Sequence, residues 1–168
     1  SRVGGAAQVK AMKKVSGTLK IGLAQYRDMQ AFAMFASDLD EASRQQLERG
    51  ARLTELLKQG QYAPYPVEDQ VVSVWLGIEG HLDDVPVADV LRFERDFLEH
   101  LRMNGEVLQG IAETKLFEDD AKEATLRLLG EFKQTFKDSE GNSIGTEQFE
   151  AIDESEIDNT KIVRKKRG

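Results

Sequence analysis

The sequence contains no cysteine and only two histidines, His81 and His100. Without thiols there are no disulfides and no thiolate metal centres. Two imidazoles give little from which to build a zinc site or a histidine-based catalytic array. Proline is scarce, with Pro64, Pro66 and Pro86 alone, so long stretches run free of helix breakers. No apolar run approaches the ~18 residues needed to span a bilayer, and no secretory signal is visible. Ser1 stands where an initiator methionine would, so the chain is expected to be cut from a longer one.

What is present suits one helical domain. The 168 residues, 40% of them hydrophobic, are enough for a sizeable core, and the 32% that are charged give it a globular rather than disordered balance. The net charge of −7 and an isoelectric point near 5.0 describe a surface that repels phosphate backbones, so nucleic acid is a poor partner. Few stretches alternate with period two, which argues against strands. The β-branched run Val71-Val72-Ser73-Val74 is the main ambiguity. It follows Pro66-Val67-Glu68-Asp69, with proline and two acids where a helix starts, so we read a buried helix.

The periodicity predicts helices over 6 to 15, from 18 or 19 to 35, over 41 to 58, 67 to 79, 87 to 103, 106 to 113 and 118 to 137. Asp40 is the expected N-cap of the third, with Leu47, Leu53, Leu56 and Leu57 turned inward and Gly60 ending it in the left-handed region. Leu23, Tyr26 and Phe32 stand at helical spacing along the second. Val90, Phe93, Phe97 and Leu101 form one stripe, and Ala121, Thr125, Leu128, Phe132 and Phe136 another. Gly80-His81-Leu82-Asp83-Asp84 reads as a loop. Short loops between such helices favour an all-α compact bundle. From Asp138 to Thr160 there is no lysine or arginine, and acids recur; then Lys161, Arg164, Lys165, Lys166 and Arg167 reverse the sign. Apolar residues are sparse there, so 138–168 is expected to be a mobile tail, acidic first and basic last.

Single motifs support more than one reading. The glycine-rich start is a turn into a helix, and no Gly-Lys-[Ser/Thr] follows to make a phosphate loop; an exposed Arg2 could still reach a neighbour's phosphate. Gln59 and Gln61 flank Gly60 at a helix end. They are either cap and solvated surface or a pair of amides able to read a base edge. Asp83 and Asp84 read locally as solvated loop charges rather than an acid–base pair. Asp138, Glu140 and Asn142 fall at calcium-loop spacing, but Ser143 and Phe149 stand where glycine and a bidentate glutamate are needed, so calcium is rejected. Trp75 and His100 read as packing or rim residues. The basic cluster suits nucleic acid or anionic lipid, or, more simply, a solvated tail or an acidic protein surface.

An ordered series of longer motifs narrows this. Ser1-Arg2-Val3-Gly4-Gly5-Ala6-Ala7-Gln8 is followed by Leu23-Ala24-Gln25-Tyr26-Arg27 and then Phe35-Ala36-Ser37-Asp38-Leu39-Asp40. Arg49-Gly50 and Leu53-Thr54-Glu55-Leu56-Leu57-Lys58-Gln59-Gly60-Gln61-Tyr62 come next, then Gly80-His81-Leu82-Asp83-Asp84-Val85-Pro86. In this order they resemble the C-terminal domain of the α subunit of F-type ATP synthases, over 1 to about 136. The resemblance implies a helical domain at 1–137, whose first five residues are the edge of a nucleotide-binding domain, followed by an extension at 138–168.

The same resemblance implies a stator domain of the catalytic hexamer, with β and γ subunits as partners. Its expected home is the cytoplasmic face of a bacterial inner membrane, as a peripheral part of the complex and without insertion. By position, Arg2 matches the arginine finger that reaches the neighbouring β subunit's catalytic site. Gln59 and Gln61 match adenine contacts of the non-catalytic site. Gly80, His81, Leu82, Asp83, Asp84 and Asp89 match a rotor-facing region, with His81 where tyrosine is common. ATP or ADP with magnesium belongs to the full complex; the fragment alone is expected to be no enzyme and to need no cofactor. The extension resembles, in placement and charge, that of mycobacterial and related α subunits, where it suppresses ATP hydrolysis through the rotor. On that reading Lys161, Arg164, Lys165, Lys166 and Arg167 are regulatory. A free-standing helical adaptor with a basic recognition tail is the third reading.

Overall fold

The computed structural model describes residues 4–33, 39–60 and 63–144. Helices α1 (Gly4–Ala7), α2 (Lys10–Val15), α3 (Leu19–Ala33) and α4 (Glu41–Leu56) come first. Then come α5 (Val67–Ile78), a 3-10 turn (Val87–Asp89), α6 (Val90–Asn104), α7 (Val107–Thr114) and α8 (Asp119–Thr135). No strand occurs among the described residues; Lys137 and Ser143 form one isolated antiparallel bridge.

Helix α5 is the centre of the bundle, packed between α2, α4 and α7. Val71, Val72 and Leu76 are fully enclosed, and Val74 and Trp75 nearly so. Burial on all sides outweighs the few tenths of a kcal/mol per residue by which valine disfavours a helix. Pro66 caps its start with an extended backbone, and Glu68 and Asp69 face the positive end of the helix dipole. Helix α6 lies against α8, α7 and α4. Its expected stripe is fully buried: Val90, Phe93, Phe97 and Leu101. Phe93 meets Phe132 and Phe136 edge-on, at centroid distances of 5.2 and 4.9 Å, the geometry that aromatic quadrupoles favour. Trp75 packs edge-on to Phe117, and His100 lies over Phe132.

Helix α4 starts as read, with Asp40 accepting from the Ser43 amide at 2.7 Å. Helix α3 packs on α4 and, like the four-residue α1, buries none of its own residues.

Several local expectations change. The first helix is split, because Val9 is extended between α1 and α2. Leu57 is exposed, since it sits one residue, about 100°, past the Leu53–Leu56 face. Helix α4 ends at Leu56 without a left-handed glycine; the left-handed residues among those described are Gly80, Gly141 and Lys115. The expected end of α3 at 35 lies outside the described residues. Position 87 begins a 3-10 turn rather than an α-helix. Residues 138–144, expected to open a mobile tail, fold back on the bundle, and Ile144 is buried.

Candidate functional site

The turn at 80–89 gathers six of the residues singled out in the sequence. Gly80 has φ +80°, a conformation open to glycine at little cost, and it turns the chain out of α5. Backbone bonds then close the turn: His81 N–H to Leu76 O at 3.0 Å, Asp83 N–H to Gly80 O at 3.1 Å and Val85 N–H to Leu82 O at 2.9 Å. Leu82 and Val85 are buried pins that hold the turn to the core.

Cations from two other helices brace it. Arg49 of α4 grips both carboxylate oxygens of Asp83, with Nε donating at 3.2 and 3.1 Å. Arg52, one turn further along α4, donates to Val85 O at 2.7 Å. Lys133 of α8 donates to His81 O at 2.7 Å and to Asp84 at 2.6 Å. Asp83 and Asp84 are thus paired within the domain rather than left as bare solvated charges. The His81 ring lies 4.7 Å from Trp75. Burial pulls its pKa below the ordinary histidine value, and the Lys133 charge adds to this. Asp89 is buried beside the start of α6, where Ser139 and then Arg92 hold its carboxyl down at about 2.

The turn therefore presents His81, Asp83 and Asp84 to solvent, while Leu82 and Asp89 point into the protein. Gln59 is exposed after α4, and its amide donates to Ala63 O. Arg2, Gln61, Lys161, Arg164, Lys165, Lys166 and Arg167 lie outside the described residues. Asp138, Glu140 and Asn142 fold on one another, with Asp138 Oδ1 accepting from the Glu140 and Asn142 amides at 2.9 and 2.7 Å. Among the described residues, no group of three His, Cys, Asp or Glu could hold a metal ion.

A second polar cluster went unread in the sequence. Asp69 and Ser73 on α5 and Glu94 on α6 are all buried. Arg102 pairs with one oxygen of Asp69, while Asp69 Oδ1 and Glu94 Oε2 have no hydrogen-bond partner among the described residues. Burial raises both carboxyl pKa values. The signal was available: Glu94 sits four residues after Val90 and three before Phe97, on the buried stripe.

Comparison with known proteins accords with this architecture. The family model described as "ATP synthase alpha/beta chain, C terminal domain" matches residues 8–132. The ATP synthase subunit alpha of Cutibacterium acnes is 63% identical over 100% of this chain and 31% of its own length. That of Pseudarthrobacter chlorophenolicus is 63% identical over 99% of this chain and 31% of its own. That of Thermobifida fusca is 62% identical over 94% and 29%. The chain thus spans about a third of the length of these relatives. Whereas the family match stops at 132, the first two alignments cover nearly all of the sequence, 138–168 included. A helical bundle matched over most of its length by this family, and by full-length relatives at such identity, belongs to the family of C-terminal domains of ATP synthase alpha and beta subunits.

Proposed function

We propose that this protein is the C-terminal packing domain of an alpha-type subunit, a stator part of a proton-translocating ATP synthase with no complete active site of its own. The observation that carries this is α3. It buries none of its residues, and Ile21 and Phe32 each remain 60% exposed. An apolar helix face left uncovered by the described residues is a surface that another part of an assembly would cover. The partners are β and γ subunits, at the cytoplasmic face of the membrane.

Nucleotide chemistry enters as half-sites. Arg2 reaches a neighbouring β subunit, where a guanidinium stabilises charge on the transferring phosphoryl group. Gln59 and Gln61 contact the adenine of a nucleotide whose phosphates and magnesium are held elsewhere in the full subunit. Alone, the domain neither hydrolyses ATP nor binds it tightly. The turn at 80–89 has its carboxylates neutralised by Arg49 and Lys133. Its work is therefore to brace α4, α5 and α8, and any rotor contact there uses the His81 rim rather than free acidic charge.

The test is assembly. Ile21→Glu with Phe32→Asp should leave the helical content of this domain unchanged and strongly reduce recovery of assembled complex. Normal assembly would overturn the proposal. In the assembled enzyme, Arg2→Ala should lower hydrolysis by roughly 10³-fold, while nucleotide binding at the sites completed by Gln59 and Gln61 persists.

A further inference from the structure

Residues 136 to 144 lie past the family match, yet they are tied to the bundle by a network centred on one buried carboxylate. Asp89, 3% exposed, accepts from Arg92 Nη2 at 2.8 Å and Nε at 3.2 Å. It also accepts from the Ser139 amide at 3.0 Å and the Ser139 hydroxyl at 2.5 Å. Arg92 donates onward to Lys137 O at 2.7 Å, and its guanidinium lies 4.3 Å above the Phe136 ring. The segment closes on itself through Asp138 N–H to Asn142 O at 2.9 Å and Gly141 N–H to Asp138 O at 3.0 Å, with Gly141 at φ +87°. Phe136 and Ile144 are both buried at its two ends.

We propose that 136 to 144 is a clasp, with Asp89 as its positioning residue, that locks the chain after α8 against the start of α6 and so fixes the point from which the sequence after 144 continues. The physical case rests on burial and charge together. A carboxylate enclosed at the start of α6 needs donors, and half of its donors come from Ser139, fifty residues away in sequence. Losing those bonds leaves a buried charge short of partners, so the clasp and the α6 start hold one another in place. The clasp meets the 80–89 turn, because Asp89, which accepts from Ser139, closes that turn.

The experiment is hydrogen exchange on the full-length subunit in its assembled complex. Ser139→Ala removes one donor; Ser139→Asp sets a second carboxylate against Asp89. Exchange at the amides of 138 to 144 should rise about tenfold or more in Ser139→Asp, and less in Ser139→Ala. The amides of Phe93, Phe97 and Leu101 should stay protected in both, which separates release of the clasp from unfolding. Adding Asp89→Asn to Ser139→Asp should restore protection, because the amide can donate to the new carboxylate. Wild-type exchange at 138 to 144 in Ser139→Asp, or no recovery in the double variant while α6 stays protected, would overturn the proposal.

Discussion

The Tyr26 side chain on α3 lies directly against the bare backbone of Gly50 on α4. A Cβ at position 50 would fall 2.7 Å from the Tyr26 Cβ and closer still to its ring. Rotation about χ1 can swing the ring aside but leaves the Tyr26 Cβ where it is, still too close, so the two helices must separate. Gly50→Ala should therefore cost ~1–3 kcal/mol, as overpacking does. Because α3 has α4 as its main support, the loss should concentrate there. Hydrogen exchange should rise across α3 and stay low in α6. Equal protection of α3 in the variant would show that the hairpin is not held by this contact.

Glu94 should make the domain less stable as pH rises. It is 2% exposed, and its pKa is raised chiefly by burial, with Asp69 adding and the nearby Ser73 opposing. Arg102 and Glu68 act on the same pocket through Asp69, and Tyr65 and Arg95 face it from the rim. A carboxyl with a raised folded pKa binds its proton more tightly folded than unfolded. Its contribution is then full below the unfolded value and is lost as pH rises through the folded one. Glu94→Gln keeps the shape and removes the charge. It should be close to neutral at pH 4 and stabilise by ~1–3 kcal/mol at pH 8, the scale of an unpaired buried polar group. Denaturant midpoints at the two pH values check it; a pH-independent difference would contradict it.

The parts that were legible in the sequence are those where one helix face decides burial. The stripes of α6 and α8 and the Asp40 cap followed from spacing and local chemistry. The valine run of α5 was decided by Pro66 and the acids after it, because β-branched composition alone pointed the other way. Leu57 misled because two adjacent leucines cannot share one stripe, and periodicity does not say which is inside. The packing of 138–144 was invisible because it depends on Asp89 and Arg92, far away in sequence, while local composition shows mostly polar residues. At the candidate site, the motif residues were found but their pairing was not: nothing near Asp83 or Asp84 points to Arg49 or Lys133.

Lys115 offers a stabilising change. It follows α7 with φ 60°, the left-handed position where a residue bearing a Cβ is strained. Its amide closes onto Ile111 O at 2.9 Å, and its carbonyl accepts from the Ala11 amide at 3.0 Å. Both bonds are backbone, so Lys115→Gly keeps them. Relief of roughly 1 kcal/mol of strain is offset in part by the greater freedom of unfolded glycine. The net gain should be a few tenths of a kcal/mol, seen as a small rise in Tm. A fall would mean that the contacts of the lysine outweigh the strain of its backbone.

His81 should act on stability in the opposite pH sense to Glu94. Its ring lies on Trp75, half-buried, with Lys133 and Arg49 on one side of the charge balance and Glu79 and Asp83 on the other. Burial and Lys133 lower its pKa, so the unfolded state binds this proton more readily than the folded one. Stability from this group is then whole above pH ~6.5 and falls as pH drops through that value towards the folded pKa. His81→Phe keeps an aromatic ring against Trp75 and has no proton to gain. The bond from Lys133 to the backbone oxygen of residue 81 survives the change. The variant should therefore match the wild type at pH 7.5 and exceed it at pH 5, and urea midpoints measured at both values decide the matter. A variant equally stable relative to wild type at the two pH values would mean that the imidazole takes up its proton as readily folded as unfolded, and that Lys133 does not repel it.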